Sequence, residues 1–405
     1  MPKISTLQRS NLSEDQWHSI LISLLRGLAA LQVAAAHLRA QVYPSFDSVQ
    51  DPSLAFVGLA FGVGFPYLAV IVFFVLSGWL VGGSLLNRLN ADRAIANYAI
   101  DRVTRLWIVL IPTFVAMLLF GVATGALDSS MLSFAPSNDY SAAAFAGNLV
   151  GLQTIVVPKF GDNFPLWSLA NETWYYILFP LLVMLFRTRS TLHRFAILTV
   201  IAAIVYLLDS AILLYFSIWL LGAGFSRIRI DCGAALRWAL FLGVIAAAVA
   251  IRLKGKSHIE VDSFAQYLFF SLAFVLFLSS MQFKQARTRS IDWLNRIGRF
   301  FSEFSFTLYV LHIPLMAALL HFLTPVLDAE RLDPNRPAHL LIYAALYLAL
   351  VGGAWLFHLP FEARTHRSRE WLKSVLGTRT RPASAAVSDA AAGLARETGA
   401  GVQSR

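Results

Sequence analysis

The sequence predicts an all-α, polytopic membrane protein: a helix bundle of about ten transmembrane helices with both termini in the cytosol. Three observations predict it. Of the 405 residues, 57% are hydrophobic and 14% charged, whereas a soluble domain carries about 25% charged residues. The mean hydropathy is +0.63, and apolar runs of bilayer-crossing length recur along the chain. Arg and Lys gather in alternate connecting segments, the pattern of cytosolic loops. That pattern accounts for the net charge of +10 without nucleic acid, which is not an expected partner; the lipid bilayer is. Cys232 is the single cysteine, so no intramolecular disulfide forms, and no local cluster suggests a metal site.

Residues 1–17 are polar and read as a cytosolic tail, with no cleavable leader. The first span covers roughly 18–41. The stretch 42–65 lacks Lys and Arg and carries Pro44, Pro52, Gly58, Gly62 and Gly64, so it is an outer loop that dips in part into the interface. The second span, 66–86, ends in FFVLSGWLVGGSLL and is followed by Arg88, Arg93, Arg102 and Arg105 on the cytosolic side. The third covers 106–126. In the outer stretch 127–164, with Lys159 as its one cation, 142–157 is apolar but short and is expected not to cross. Spans follow at 165–186, at 195–226 as a pair broken near Asp209 and Ser210, at 238–251, 264–283, 303–323 and 338–358. Basic inner loops lie between them at 227–237 and 284–299. This ten-span arrangement leaves Arg252, Lys254 and Lys256, and also Arg331 and Arg336, on the outer side, against the positive-inside trend. The domain reading is a tail at 1–17, a transmembrane domain at 18–361, and a cytosolic tail at 362–405, basic at first and then Ala/Gly/Ser-rich and disordered beyond Pro382.

Ionisable groups inside spans mark function by default, because burying them in a bilayer is costly. Arg26 and His37 are eleven residues apart in the first span, roughly three turns, so they share a face about 16 Å apart. A permanent cation and a titratable base are thus offered at two depths. Arg102 and Arg105 sit three apart at the mouth of the third span, where two guanidiniums can grip phosphate oxygens. Glu172, in FPLWSLANETWYY, is four residues after Ser168 and is the most specific acidic residue in any span. Ser305, Tyr309 and His312 follow i, i+4, i+7 spacing in FSFTLYVLHIPL. Ser77-Gly78 alone reads as a close helix contact.

Taken together, Arg26-x10-His37, FFVLSG at 73–78, Arg102-x-x-Arg105, WSLANETWYY at 167–176 and FSFTLYVLHIPL at 304–315 resemble, in order and spacing, the membrane acyltransferase 3 family over roughly residues 20–320. Trp79 departs from the family's usual Tyr or Phe, and LWIVLIP after Arg105 lacks a further arginine often found there. The resemblance implies an O-acyltransferase of a bacterial cytoplasmic (inner) membrane. Its donor substrate is acyl-CoA, with acetyl the commonest acyl group, and no cofactor is bound permanently. Its acceptor is a hydroxyl on a sugar of a surface polysaccharide, lipopolysaccharide or glycolipid. On this reading His37 is the general base, with Glu172 and Arg26 the other catalytic residues. Glu172 holds the His37 tautomer. Arg102, Arg105, Ser77, Tyr309 and His312 bind the donor, and Tyr309 or Ser77 donates to the oxyanion. Some members carry an extracellular esterase-like domain, which is not expected here. A transporter or flippase for an anionic or glycosylated substrate is the alternative that the same intramembrane charges allow.

Overall fold

The computed structural model describes all residues except 1, 11, 14, 128–137, 255–257, 286–287, 328–330 and 378–405. Lys256 and Arg287, part of the 127–164 loop, and the low-complexity end of the chain therefore lie outside the described residues.

A short strand β1 (Lys3–Thr6) leads to α1 (Trp17–Val42), α2 (Leu54–Gly62) and α3 (Pro66–Ser77). One π-helical turn over Gly78–Gly82 joins α3 to α4 (Gly83–Arg88). Then come α5 (Ala94–Thr124), α6 (Ala142–Leu149), α7 (Leu166–Arg187), α8 (Thr191–Leu207) and α9 (Ser210–Phe225). Strand β2 (Ile228–Asp231) precedes α10 (Ala234–Leu253), α11 (Phe264–Ser280), α12 (Arg289–Glu303), α13 (Ser305–Leu327), α14 (Pro337–His358) and α15 (Thr365–Val375). Eight helical segments are long and apolar enough to cross a bilayer. The expected pair at 195–226 is α8 and α9, of 17 and 16 residues. They break where Asp209 caps α9 by accepting the Ala211 N–H at 2.7 Å. Of the apolar stretch 142–157 only the eight residues of α6 are helical, about 12 Å of helix against a core of about 30 Å.

The segments expected to be cytosolic gather at one end of the bundle. Lys3–Thr6 pairs antiparallel with Ile228–Asp231, so the N-terminal tail is partly ordered. Asn87 accepts from Ser10 N at 3.0 Å and from Arg227 at 3.3 Å. Lys284 reaches Asp15 at 3.5 Å, and Arg93 donates to the Gly377 carbonyl at 2.6 Å. At the opposite end Arg331 donates to the Tyr43 carbonyl and Ser53 N to Asn335. Most of α12 falls in the 284–299 stretch, expected as a loop, and the helix runs on to Glu303. Its apolar stripe packs along α1, with Gly27 so close to Phe301 that a Cβ would fall 2.6 Å from the Phe301 Cβ. The helix forms because one face can be buried while Arg289, Arg296 and Arg299 remain outside.

Glycine also sets the α3–α9 crossing. A Cβ on Gly78 would lie 1.9 Å from the Trp219 carbonyl oxygen, and one on Gly222 would lie 2.0 Å from that of Val75. The small residues of FFVLSG therefore do what small residues do between membrane helices: they let two backbones touch. The π turn begins at that contact and carries Trp79 into the core.

Candidate active site

Prolines determine where α13 and α7 meet. Pro314 has no N–H, so the Val310 carbonyl loses its helical donor. The Asn163 side-chain amide supplies one at 2.9 Å. This clamps the start of the α7 segment to the middle of α13 and places Phe164 edge-on to the His37 ring, with centroids 4.8 Å apart.

His37 and His312 are hydrogen-bonded, Nδ1 to Nε2, at 2.8 Å. Their protons can be placed by elimination. His312 Nδ1 lies 2.7 Å from the Tyr309 carbonyl and 3.1 Å from that of Leu308. Carbonyls only accept, so Nδ1 carries the hydrogen and Nε2 of the neutral ring is the acceptor. His37 then donates through Nδ1, and its Nε2 keeps a lone pair. Backbone carbonyls thus orient one imidazole, and that imidazole orients the other.

Next to this pair lies a cavity of about 700 Å³. Six of the eight residues given catalytic or donor-binding roles by the family resemblance line it: Arg26, Ser77, Arg102, Arg105, Glu172 and Tyr309. The two histidines adjoin it behind Tyr309, whose ring centroid is 6.0 Å from that of His312. The Tyr309 hydroxyl lies 2.5 Å from Ser168 Oγ, and both face the Pro165 carbonyl.

Glu172, expected to hold the His37 tautomer, has a different hydrogen-bond partner. It accepts from the Tyr176 hydroxyl at 2.5 Å, one turn along its own helix. That bond ends a directed chain. Trp219 Nε1 donates to Ser77 Oγ at 3.1 Å, and Ser77 is 3.3 Å from the Tyr176 oxygen. Because Tyr176 donates onward to the carboxylate, Ser77 donates to Tyr176. Its proton is already committed, and the Tyr309 proton is shared between Ser168 Oγ and the Pro165 carbonyl, so neither hydroxyl expected at an oxyanion is free in this arrangement.

At its other end the cavity is a ring of charge. Arg105 pairs with Glu362 at 2.7 Å and lies over the Phe306 ring. The second Glu362 oxygen accepts from Thr307 N at 2.9 Å and Thr307 Oγ1 at 2.6 Å. Arg102 lies over the rings of Tyr98 and Tyr176. Arg369 lines the same mouth and, with Lys373, pairs with buried Asp101 at 3.3 and 2.9 Å. The basic start of the expected C-terminal tail therefore packs back on α5. Arg26 lines the wall and makes no contact-distance ion pair among the described residues; its charge is felt by Arg105, Glu362 and Glu172. No group of three or more potential metal ligands occurs among the described residues.

The family model Acyl_transf_3, described as an acyltransferase domain, matches residues 20–359. The chain belongs to the acyltransferase 3 family. It is a membrane acyltransferase, built on eight long apolar helices among its described residues. No curated protein and no solved structure matches it. The matched stretch stops short of Glu362 and Arg369, which the acyltransferase nevertheless brings to its cavity. Sequence reasoning missed both, along with Asn163 and Thr307. The one available signal was Glu362 itself, an acid placed just before the run Arg364, Arg367, Arg369.

Proposed function

We propose that this acyltransferase carries an acyl group, acetyl in the first instance, from cytosolic acyl-CoA to a sugar hydroxyl of a surface polysaccharide, lipopolysaccharide or glycolipid. The observation that carries the reading is one cavity with guanidiniums at one end and an oriented imidazole pair adjoining the other. The end that gathers the basic loops faces the cytosol in a bacterial inner membrane, with both termini there and ten crossings in all. The donor's phosphates engage Arg102 and Arg105, and its pantetheine arm runs past Arg26 towards Tyr309. Such a volume is in the usual range for a small-molecule site, about 300–1,000 Å³.

His37 Nε2 takes the proton of the acceptor hydroxyl as its oxygen attacks the thioester carbonyl. His312 supports the imidazolium through the Nδ1 bond, in the role an acid plays in a triad. Tyr309, released from Ser168 Oγ and the Pro165 carbonyl, donates to the developing oxyanion. Collapse breaks the C–S bond, the thiolate takes the proton, and free CoA and the O-acyl ester leave. Glu172, which accepts the Tyr176 hydroxyl, holds counter-charge near Arg26 and Arg102.

The test is thiol release from acetyl-CoA by the protein in liposomes, with a panel of glycan acceptors. Release that depends on both acceptor and His37 supports the reading. Movement of a glycosylated or anionic substrate with no thiol released would favour a transporter instead.

A further inference from the structure

The arginines stranded by the positive-inside rule divide into two kinds. Arg331 and Arg336 are satisfied within the chain: Arg331 donates to the Tyr43 carbonyl at 2.8 Å, and Arg336 reaches Asp333 at 3.3 Å. Arg252 is different. It folds back from the end of α10 onto α2, where one guanidinium nitrogen donates to the Ala60 carbonyl at 3.3 Å and the group lies near the Phe61 ring. Against the same helix lies a second guanidinium, that of Arg39 from α1, 5.4 Å over the Phe56 ring. The two like charges act on one another, and Asp47, whose charge also reaches Arg39, makes no contact with it. Arg39 Nε and Nη2 and Arg252 Nε are buried without a hydrogen-bond partner. Among the described residues, neither arginine has a carboxylate at ion-pair distance.

Two guanidiniums held over one helix, with buried donors unused and no acid beside them, are a costly arrangement for the chain alone. We infer that Arg39 and Arg252 form a phosphate-binding site astride α2, at the end of the bundle away from the arginine mouth, for a phosphate ester of a lipid in that leaflet. Planar guanidiniums suit phosphate oxygens because each can donate two parallel bonds. Arg39 follows His37 by two residues, about 200° round the helix, so the site faces away from the catalytic cavity and its ligand is not the acyl donor. The surrounding α2 surface is that of an interfacial helix: Leu54 is 90% and Phe61 43% exposed. The backbone is cut to fit, since a Cβ on Gly64 would fall 2.1 Å from Arg252 Nε.

The test uses full-length protein in phosphatidylcholine nanodiscs and measures binding of two probes, inorganic pyrophosphate and phosphatidylglycerol. Arg39→Gln, Arg252→Gln and Gly64→Ala should each weaken binding about tenfold or more, whereas Arg331→Gln should change it less than about twofold. Displacement of pyrophosphate by phosphatidylglycerol identifies a lipid headgroup as the source of the phosphate. Pyrophosphate binding that phosphatidylglycerol does not displace overturns the lipid assignment. Wild-type affinity for both probes in the Arg39→Gln/Arg252→Gln protein overturns the site itself. Arg39→Lys, which keeps the charge and loses the planar fork, gives an intermediate affinity and serves if the double variant does not fold. The assay needs no acyl donor, so its failure is separate from any failure of thiol release.

Discussion

The two ends of the cavity are built on opposite principles. At the mouth charged groups pair across elements, Arg105 with Glu362 and both Arg369 and Lys373 with Asp101, while Arg102 lies over tyrosine rings. At the far end stand two histidines and a tyrosine, one imidazole held by backbone carbonyls and the other held by the first, and the proposed function puts the chemistry there. On the proposed function, long-range charge suits a site that captures a polyanionic donor and later releases it. Fixed neutral dipoles suit a site where a proton moves and geometry decides the rate. Binding and chemistry should therefore separate on mutation, and each variant below tests that division.

The largest effect is expected at His37. Replacing it with alanine removes the base and should lower kcat by about 10²–10⁴-fold, read as thiol release at saturating donor. Next is His312→Ala, which leaves His37 Nδ1 without its acceptor and the tautomer free. A loss of at least about tenfold in kcat is expected, from misorientation rather than loss of the base. At the other end Glu362→Gln removes one member of a largely buried ion pair, for which the cost is about 3–5 kcal/mol at full burial. Arg105 is 25% exposed, so the lower part of that range should appear, as a fall in unfolding temperature in detergent. Smallest is Asn163→Ala, which leaves the Val310 carbonyl unbonded at a cost of about 1–3 kcal/mol. It should lower kcat a few-fold while donor KM is unchanged, because Phe164 loses its anchorage beside His37.

The sequence was most informative wherever one helix sufficed. Arg26 and His37 were legible as a shared face because helical periodicity places them there. Arg102 and Arg105 were legible as a pair at a span's mouth, and both line the cavity. What crosses between helices was not legible. His37 meets His312 from 275 residues away, and no local pattern encodes that contact. The expected Glu172–His37 contact failed for a local reason that could have been read: Tyr176 stands four residues on, on the same face, and its hydroxyl reaches the carboxylate first. The basic residues after the last span looked like a topological marker. That Glu362 and Arg369 return to the cavity depends on α15 docking against Asp101, a tertiary event. The amphipathic stripe of α12 is present in the sequence, but its interspersed arginines give the segment the composition of a basic loop.

The most direct test of the division between ends is steady-state kinetics of Arg105→Ala beside His37→Ala, with acetyl-CoA and with a short acetyl thioester that lacks the nucleotide. The account predicts that Arg105→Ala raises KM for acetyl-CoA about tenfold or more with kcat nearly unchanged, and leaves the short thioester unaffected. It predicts that His37→Ala lowers kcat with both donors and leaves KM alone. Equal losses with both donors in Arg105→Ala, or a KM effect without a kcat effect in His37→Ala, would contradict it.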